Sequence, residues 1–176
     1  SAKATATVTT KAGTPVTSGK VELSGHGSTQ TANVVNGKVS FTLPRNVAVG
    51  THTLTAIYSG EGLNLISTST TRLTVGKANV TAKVSVSKKP TSKKTGTATV
   101  TIAGATGVTA PGGTAYVKFT KGKSSRTVKV TLGSGATSLT VPKLSKGTWN
   151  VSVKYNGDAR YNALGYKKVT STKVTK

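Results

Sequence analysis

Cysteine and methionine are both absent from this 176-residue chain. Without thiols there is no disulfide staple and no thiolate-held metal, so stability must come from packing and hydrogen bonding. Acids are nearly as scarce: Glu22, Glu61 and Asp158 are the only three. Paired-carboxylate catalysis needs two acids in one site, and calcium needs several clustered oxygen ligands, so neither chemistry is expected. Glu22 sits between apolar Val21 and Leu23, which predicts a solvent-facing side chain. Glu61 and Asp158 each follow a glycine at matching places in the chain, where an acid shapes a turn and caps backbone N–H groups. No stretch approaches the roughly 18 consecutive apolar residues of a membrane-spanning helix, and no membrane insertion is expected. No initiator methionine and no signal peptide are present, so Ser1 reads as a processed or truncated end rather than a natural translation start. A cysteine-free composition suits exported proteins of some bacteria.

What the chain does contain is Val, Thr and 20 glycines, the composition of an all-β protein with many turns. It also contains the same phrase twice. "GTHTLTAIYSGEGLNL" (residues 50–65) and "GTWNVSVKYNGDARYN" (147–162) share Gly, Thr, Tyr, Gly and an acid at a spacing of 97. Alternation within the second phrase puts Trp149, Val151, Val153 and Tyr155 on one face of a strand. His52, Leu54, Ala56 and Tyr58 do the same in the first. "VSFTLP" (39–44) matches "TSLTVP" (137–142), each strand ending at a proline that cannot donate to a ladder. "GKVEL" (19–23) matches "AYVKF" (115–119). Asn36-Gly37, between two β runs, signals a hairpin turn.

Two domains follow, 1–76 and 77–176. The second reads as seven strands: 80–86, 97–102, 114–119, 126–132, 137–141, 148–155 and 166–174. The first reads as six: 4–9, 20–23, 31–35, 38–43, 51–58 and 70–75. Aligned with its twin, it lacks a counterpart of the opening strand 80–86. Seven short strands in about 100 residues suggest an immunoglobulin-like sandwich. "VGKANV" (75–80) leaves a short connection, which predicts a semi-rigid join.

These motifs (G-x-V-x-F/L, then a strand ending in Pro, then G-T followed by A/V-x-Y-x-G-D/E) resemble bacterial Ig-like repeats over most of both copies. The resemblance implies two tandem immunoglobulin-like β-sandwich domains. It also implies a secreted or cell-surface bacterial setting, and service as spacers, adhesive modules or accessory domains of large exported enzymes, including extracellular nucleases. Fold alone does not choose among these.

Charge is the strongest residue-level signal. The formal net charge is +22. Residues 1–76 hold six basic and two acidic side chains; residues 77–176 hold nineteen and one. Such a field draws polyanions, here DNA or an anionic cell-wall polymer. "KKPTSKK" supplies Lys88, Lys89, Lys93 and Lys94 from one loop. "KFTKGKSSRTVKV" supplies Lys118, Lys121, Lys123, Arg126 and Lys129. Alternation places Lys118, Tyr116 and Lys154 on one outer sheet face, with Lys167 or Lys168 nearby. A basic face with an aromatic can track a phosphate backbone. A solvated face that discourages sheet-to-sheet aggregation is the plainer use of the same residues. Lysine dominates over arginine, so binding would be sequence-tolerant and salt-sensitive.

Other chemistry finds little support. His26 lies in the Gly-rich "SGHGS", where exposure is expected, and His52 aligns with Trp149 at the rim of a core. Neither has a ligand-spaced His, Cys or acid, so no metal and no cofactor are expected. No nucleophile elbow accompanies the abundant Ser and Thr, and "KGKSS" lacks the setting of a phosphate loop. Three readings remain open. The first is a non-catalytic structural or spacer module. The second is a polyanion-binding accessory module acting through the basic second domain. The third is a filament subunit in which a strand from a neighbouring chain fills the open edge of the first domain, with neighbouring copies or other domains of a larger parent protein as its partners; a truncated first domain or a tolerated six-strand variant is the plainer explanation of the same gap.

Overall fold

A computed structural model describes residues 2–175. Contacts divide the chain into two compact units, Ser1–Gly76 and Lys77–Lys176. Every regular element among the described residues is a β-strand, and every predicted strand is present with slightly different ends.

The second unit contains β7 (Thr81–Lys88), β8 (Gly96–Ala103), β9 (Gly113–Lys121), β10 (Ser124–Leu132), β11 (Ala136–Val141), β12 (Gly147–Tyr155) and β13 (Leu164–Val174). They form two antiparallel sheets, β11-β8-β7 and β10-β9-β12-β13. Strand alternation builds the layer between them. Ala115, Val117 and Phe119 of β9 point inward and are wholly buried, as are Val151, Val153 and Tyr155 of β12. Ala98, Val100 and Ile102 of β8 close the core from the other sheet. Burying each large apolar side chain contributes about 1.5–3 kcal/mol before entropy is counted. This arrangement of three strands against four is an immunoglobulin-like sandwich.

The first unit contains β1 (Lys3–Thr7), β2 (Lys20–Ser24), β3 (Gln30–Asn33), β4 (Lys38–Thr42), β5 (Gly50–Tyr58) and β6 (Ser67–Val75). Its sheets are β1-β4 and β3-β2-β5-β6. The same inward pattern fills a separate core with Val21, Leu23, Val39, Phe41, Leu54 and Tyr58. β1 corresponds to β8: Ala4 faces Phe41 as Ala98 faces Leu139, and Ala6 faces Val39 as Val100 faces Thr137. Val8 N–H donates to Gly37 C=O, as Ile102 N–H donates to Gly135 C=O. Among the described residues β1 pairs with β4 alone, whereas β8 carries β7 on its other edge.

The Asn36-Gly37 turn forms, with φ of 49° and 71°, and Val35 and Lys38 exchange both backbone hydrogen bonds across it. It does not close a hairpin of paired strands. β3 stays with β2, and β4 crosses to β1. The reason is packing. Val34 and Val39 are both 4% exposed and enter the core from opposite sheets, so the turn hands the chain across the sandwich.

Candidate functional site

The outer surface of β10-β9-β12-β13 carries the predicted basic face. Register pairs Lys129 with Tyr116 across β10 and β9, and Tyr116 with Lys154 across β9 and β12. Lysine, tyrosine and lysine therefore lie in one row perpendicular to the strands. In the next row Lys118 faces Ser152, which faces Lys168 on β13. Of the two alternatives for β13, Lys168 is thus the one on this face. Lys154 Nζ lies 5.8 Å from the Tyr116 ring centroid, and Lys118 Nζ lies 5.4 Å from that of Tyr166. These cation–π contacts hold the ammonium groups against the sheet. Alternation alone did not find Tyr166, because an irregular β12–β13 register precedes its contact with Lys118.

The other named residues lie elsewhere on the unit. Lys88, Lys89, Lys93 and Lys94 are exposed on and beside the loop between β7 and β8. Thr91 Oγ1 accepts from the N–H groups of Lys93 (3.2 Å) and Lys94 (2.9 Å), fixing that loop. Leu144 N–H donates to Thr91 C=O at 3.1 Å, which ties it to the β11–β12 loop holding Lys143 and Lys146. Lys121 joins the same pole, but its ammonium is already engaged. It donates to Ser145 Oγ (2.9 Å) and Lys146 C=O (2.6 Å) and sits 5.6 Å from the Trp149 ring centroid. Lys123 and Arg126 are exposed at the β9–β10 turn, and Arg126 donates to Ser125 C=O at 2.9 Å. Two basic surfaces thus emerge, a sheet face and a loop pole. Lys143 and Lys146 belong to the pole although neither stands in a dense lysine run.

Asp158 and the two histidines serve architecture. Both Asp158 oxygens are used: Oδ2 accepts from Gly112 N–H (2.9 Å) and lies 2.9 Å from the Tyr155 hydroxyl, while Oδ1 accepts from Arg160 N–H (2.8 Å) and Tyr161 N–H (2.9 Å). Partial burial acts to raise its pKa, but these hydrogen bonds outweigh it and hold the carboxyl below the usual range. Burial first, and then the Asp158 hydrogen bond, push the Tyr155 phenol upward. Tyr155 also reaches Gly112 C=O at 2.8 Å, and Tyr58 likewise donates to Ser18 C=O at 3.2 Å. His52 Nε2 bonds Ala48 C=O at 2.8 Å and Trp149 Nε1 bonds Ser145 C=O at 2.9 Å, so the two rings do equivalent work. His26 is not exposed as expected: it is 2% exposed. Gly25 and Gly27 take positive φ and fold the turn over, bringing His26 Nε2 within 2.9 Å of Gln30 Nε2. His26 and His52 line one cleft, yet no group of three or more metal-ligand side chains occurs among the described residues.

Comparison with known proteins places the fold and little else. No family model matches the chain, and no curated protein matches it. Among solved structures it is similar to a tetra-tandem repeat from the extending region of a large adhesion protein, at 19% identity and a TM-score of 0.50 over 97% of this chain. The FN1–FN3 domains of chicken CNTN1 also match, at 14% identity and a TM-score of 0.38 over 99% of the chain. The chain spans 50% and 62% of those two structures respectively.

Proposed function

We propose that the chain is a non-catalytic spacer module, two tandem Ig-like sandwiches within an extracellular or cell-surface bacterial protein. The observation that supports this is repeated architectural use of the same distinctive side chains. Tyr58 and Tyr155 secure the chain ahead of β2 and β9, and His52 and Trp149 secure the loops ahead of β5 and β12. A spacer must hold two cooperatively folded bodies under tension. Single-molecule stretching of the chain is expected to show two discrete unfolding events. At about 3.5 Å per residue the events release about 270 Å and about 350 Å of chain. One smooth low-force extension would contradict the spacer reading.

The Lys–Tyr rows support a second reading, in which the basic unit also contacts a linear polyanion. Each phosphate neutralised adds about 0.9 to the slope of log K against log salt. The triple variant Lys118→Ala, Lys129→Ala, Lys154→Ala is expected to reduce that slope for duplex DNA by about 2–3. Lys93→Ala with Lys94→Ala tests the loop pole in the same way. Running the series with wall teichoic acid compares the two polymers. Slopes unchanged in both variants would refute contact through these surfaces.

A further inference from the structure

We propose that the outer face of β10-β9-β12-β13 binds single-stranded nucleic acid, with bases stacked on Tyr116 and Tyr166 and phosphates held by Lys118, Lys129, Lys154 and Lys168. The proposal rests on the polyanion reading above and names its ligand.

The division of labour among the tyrosines leads to it. The chain has five. Tyr58, Tyr155 and Tyr161 are buried, and each donates its hydroxyl to a backbone carbonyl, of Ser18, Gly112 and Thr109 respectively. Those three are structural. Tyr116 and Tyr166 belong to neither core. Tyr166 is 49% exposed and Tyr116 is half-buried, and both stand on this one face. Register sets them among the lysines. Lys129, Tyr116 and Lys154 occupy adjacent strands in one row. On β13, Tyr166 follows in the irregular stretch beside Lys154, two residues before Lys168. Cation and ring thus alternate across all four strands, with like groups about 10 Å apart at the usual strand spacing. Lys118 and Lys168 stand in the next row, about 7 Å along the strands.

The first unit shows that the fold does not require such a face. Its anchoring Tyr58 matches Tyr155, so the row through Ile57 matches the row through Lys154. That row reads Thr31, Glu22, Ile57 and Thr68. It carries no lysine and no ring, and it includes an acid.

Ring chemistry decides among polyanions. In a duplex the base faces are stacked on one another, so this face would meet phosphates alone and leave both rings idle. A wall polymer without planar rings would do the same. In a single strand each base offers a free π-face, and aromatic side chains beside lysines are the recurring means of holding it. The ammonium groups of Lys154 and Lys118 sit over Tyr116 and Tyr166. A base takes that place as the ammonium moves to a phosphate, so an exposed cation–π contact is exchanged for stacking plus charge pairing. Lysine is a point charge and a stacked ring reads no base edge, so the strand is bound with little sequence preference.

The test titrates the full chain with fluorescein-labelled oligothymidylate of about 12 nucleotides, an abasic oligomer of the same phosphate count and a duplex of the same length, each across a salt series. Oligothymidylate is expected to bind at least about tenfold more tightly than the abasic oligomer. Four lysine contacts give both single strands a slope of log K against log salt of about −3. Tyr116→Ala with Tyr166→Ala should bring oligothymidylate down to the abasic level at an unchanged slope. Tyr116→Phe with Tyr166→Phe keeps both rings and should retain the preference. Oligouridylate run beside oligothymidylate separates RNA from DNA as the source of the strand, and a preference over the abasic oligomer in either supports the proposal. Equal binding of both oligonucleotides and the abasic oligomer by the unaltered chain would overturn it while leaving the polyanion reading standing. So would tighter binding of the duplex than of either single strand, or a preference that survives loss of both rings. No salt-sensitive binding of any of these ligands would overturn both.

Discussion

Asp158→Ala is expected to destabilise the second unit by about 2–4 kcal/mol, a large fraction of a small domain's stability. Three backbone N–H groups and the Tyr155 hydroxyl converge on this one carboxylate. Hydrogen bonds to a charged group are worth about 1.5–3 kcal/mol each at most, and donors left unsatisfied add a desolvation cost. The loss in unfolding midpoint should be on the order of 10 °C, measurable by calorimetry. The same group sets the acid limit. Its folded pKa lies below the usual carboxylate value, so its stabilisation is complete above about pH 4, where the unfolded carboxyl ionises, and is lost as pH falls through the folded value. Asp158 is the single acidic side chain of residues 77–176, and Asp158→Asn should therefore flatten most of the second unit's acid sensitivity. Asparagine keeps one acceptor oxygen but replaces the other with a donor facing donors. Tyr155 acts in the opposite range. Its raised pKa gives stabilisation present below about pH 10 that fades as pH climbs through the folded value.

Gly25→Ala should unfold the first unit while leaving the second folded. Gly25 has a φ of +95°, and a Cβ there would stand 1.9 Å from the Thr53 carbonyl oxygen. Backbone cannot yield as a flexible side chain can. The dihedral penalty of about 1–2 kcal/mol and the clash together give a cost of about 3–5 kcal/mol. Gly27 is the control: its φ is +89° with nothing within 4 Å of a Cβ, so Gly27→Ala should cost only about 1–2 kcal/mol. Two separate core clusters confine the damage. Loss of exchange protection in β2 and β5, with β9 and β12 unchanged, is the expected result.

The fold was legible in the sequence because strands half-buried between two sheets alternate, and alternation survives in single residues such as Tyr116, Lys118 and Lys154. Repetition sharpened it, since each copy checks the other. Less visible was anything requiring three dimensions. The Asn36-Gly37 signal marked a turn but not that its arms part into different sheets. His26 looked exposed among glycines because polarity and neighbours say nothing about a turn folding back onto Gln30. Lys121 looked available for ligands, yet its ammonium is held by the β11–β12 loop. Asp158 was read as a turn residue, and its reach across to Gly112, 46 residues away, has no local signature.

Residue-resolved hydrogen exchange on the whole chain tests the central claim most directly, namely that one sandwich is written twice and that, among the described residues, β8 carries a strand on its outer edge where β1 carries none. Strong protection is predicted in two separate cores, centred on β2–β5 and β9–β12. On β8 the amides of Thr97, Thr99 and Thr101 should exchange slowly beneath β7, while their counterparts Lys3, Thr5 and Thr7 on β1 exchange at rates near those of an open edge. Equal protection of Thr5 and Thr99, or a first unit with no protected core, would contradict it.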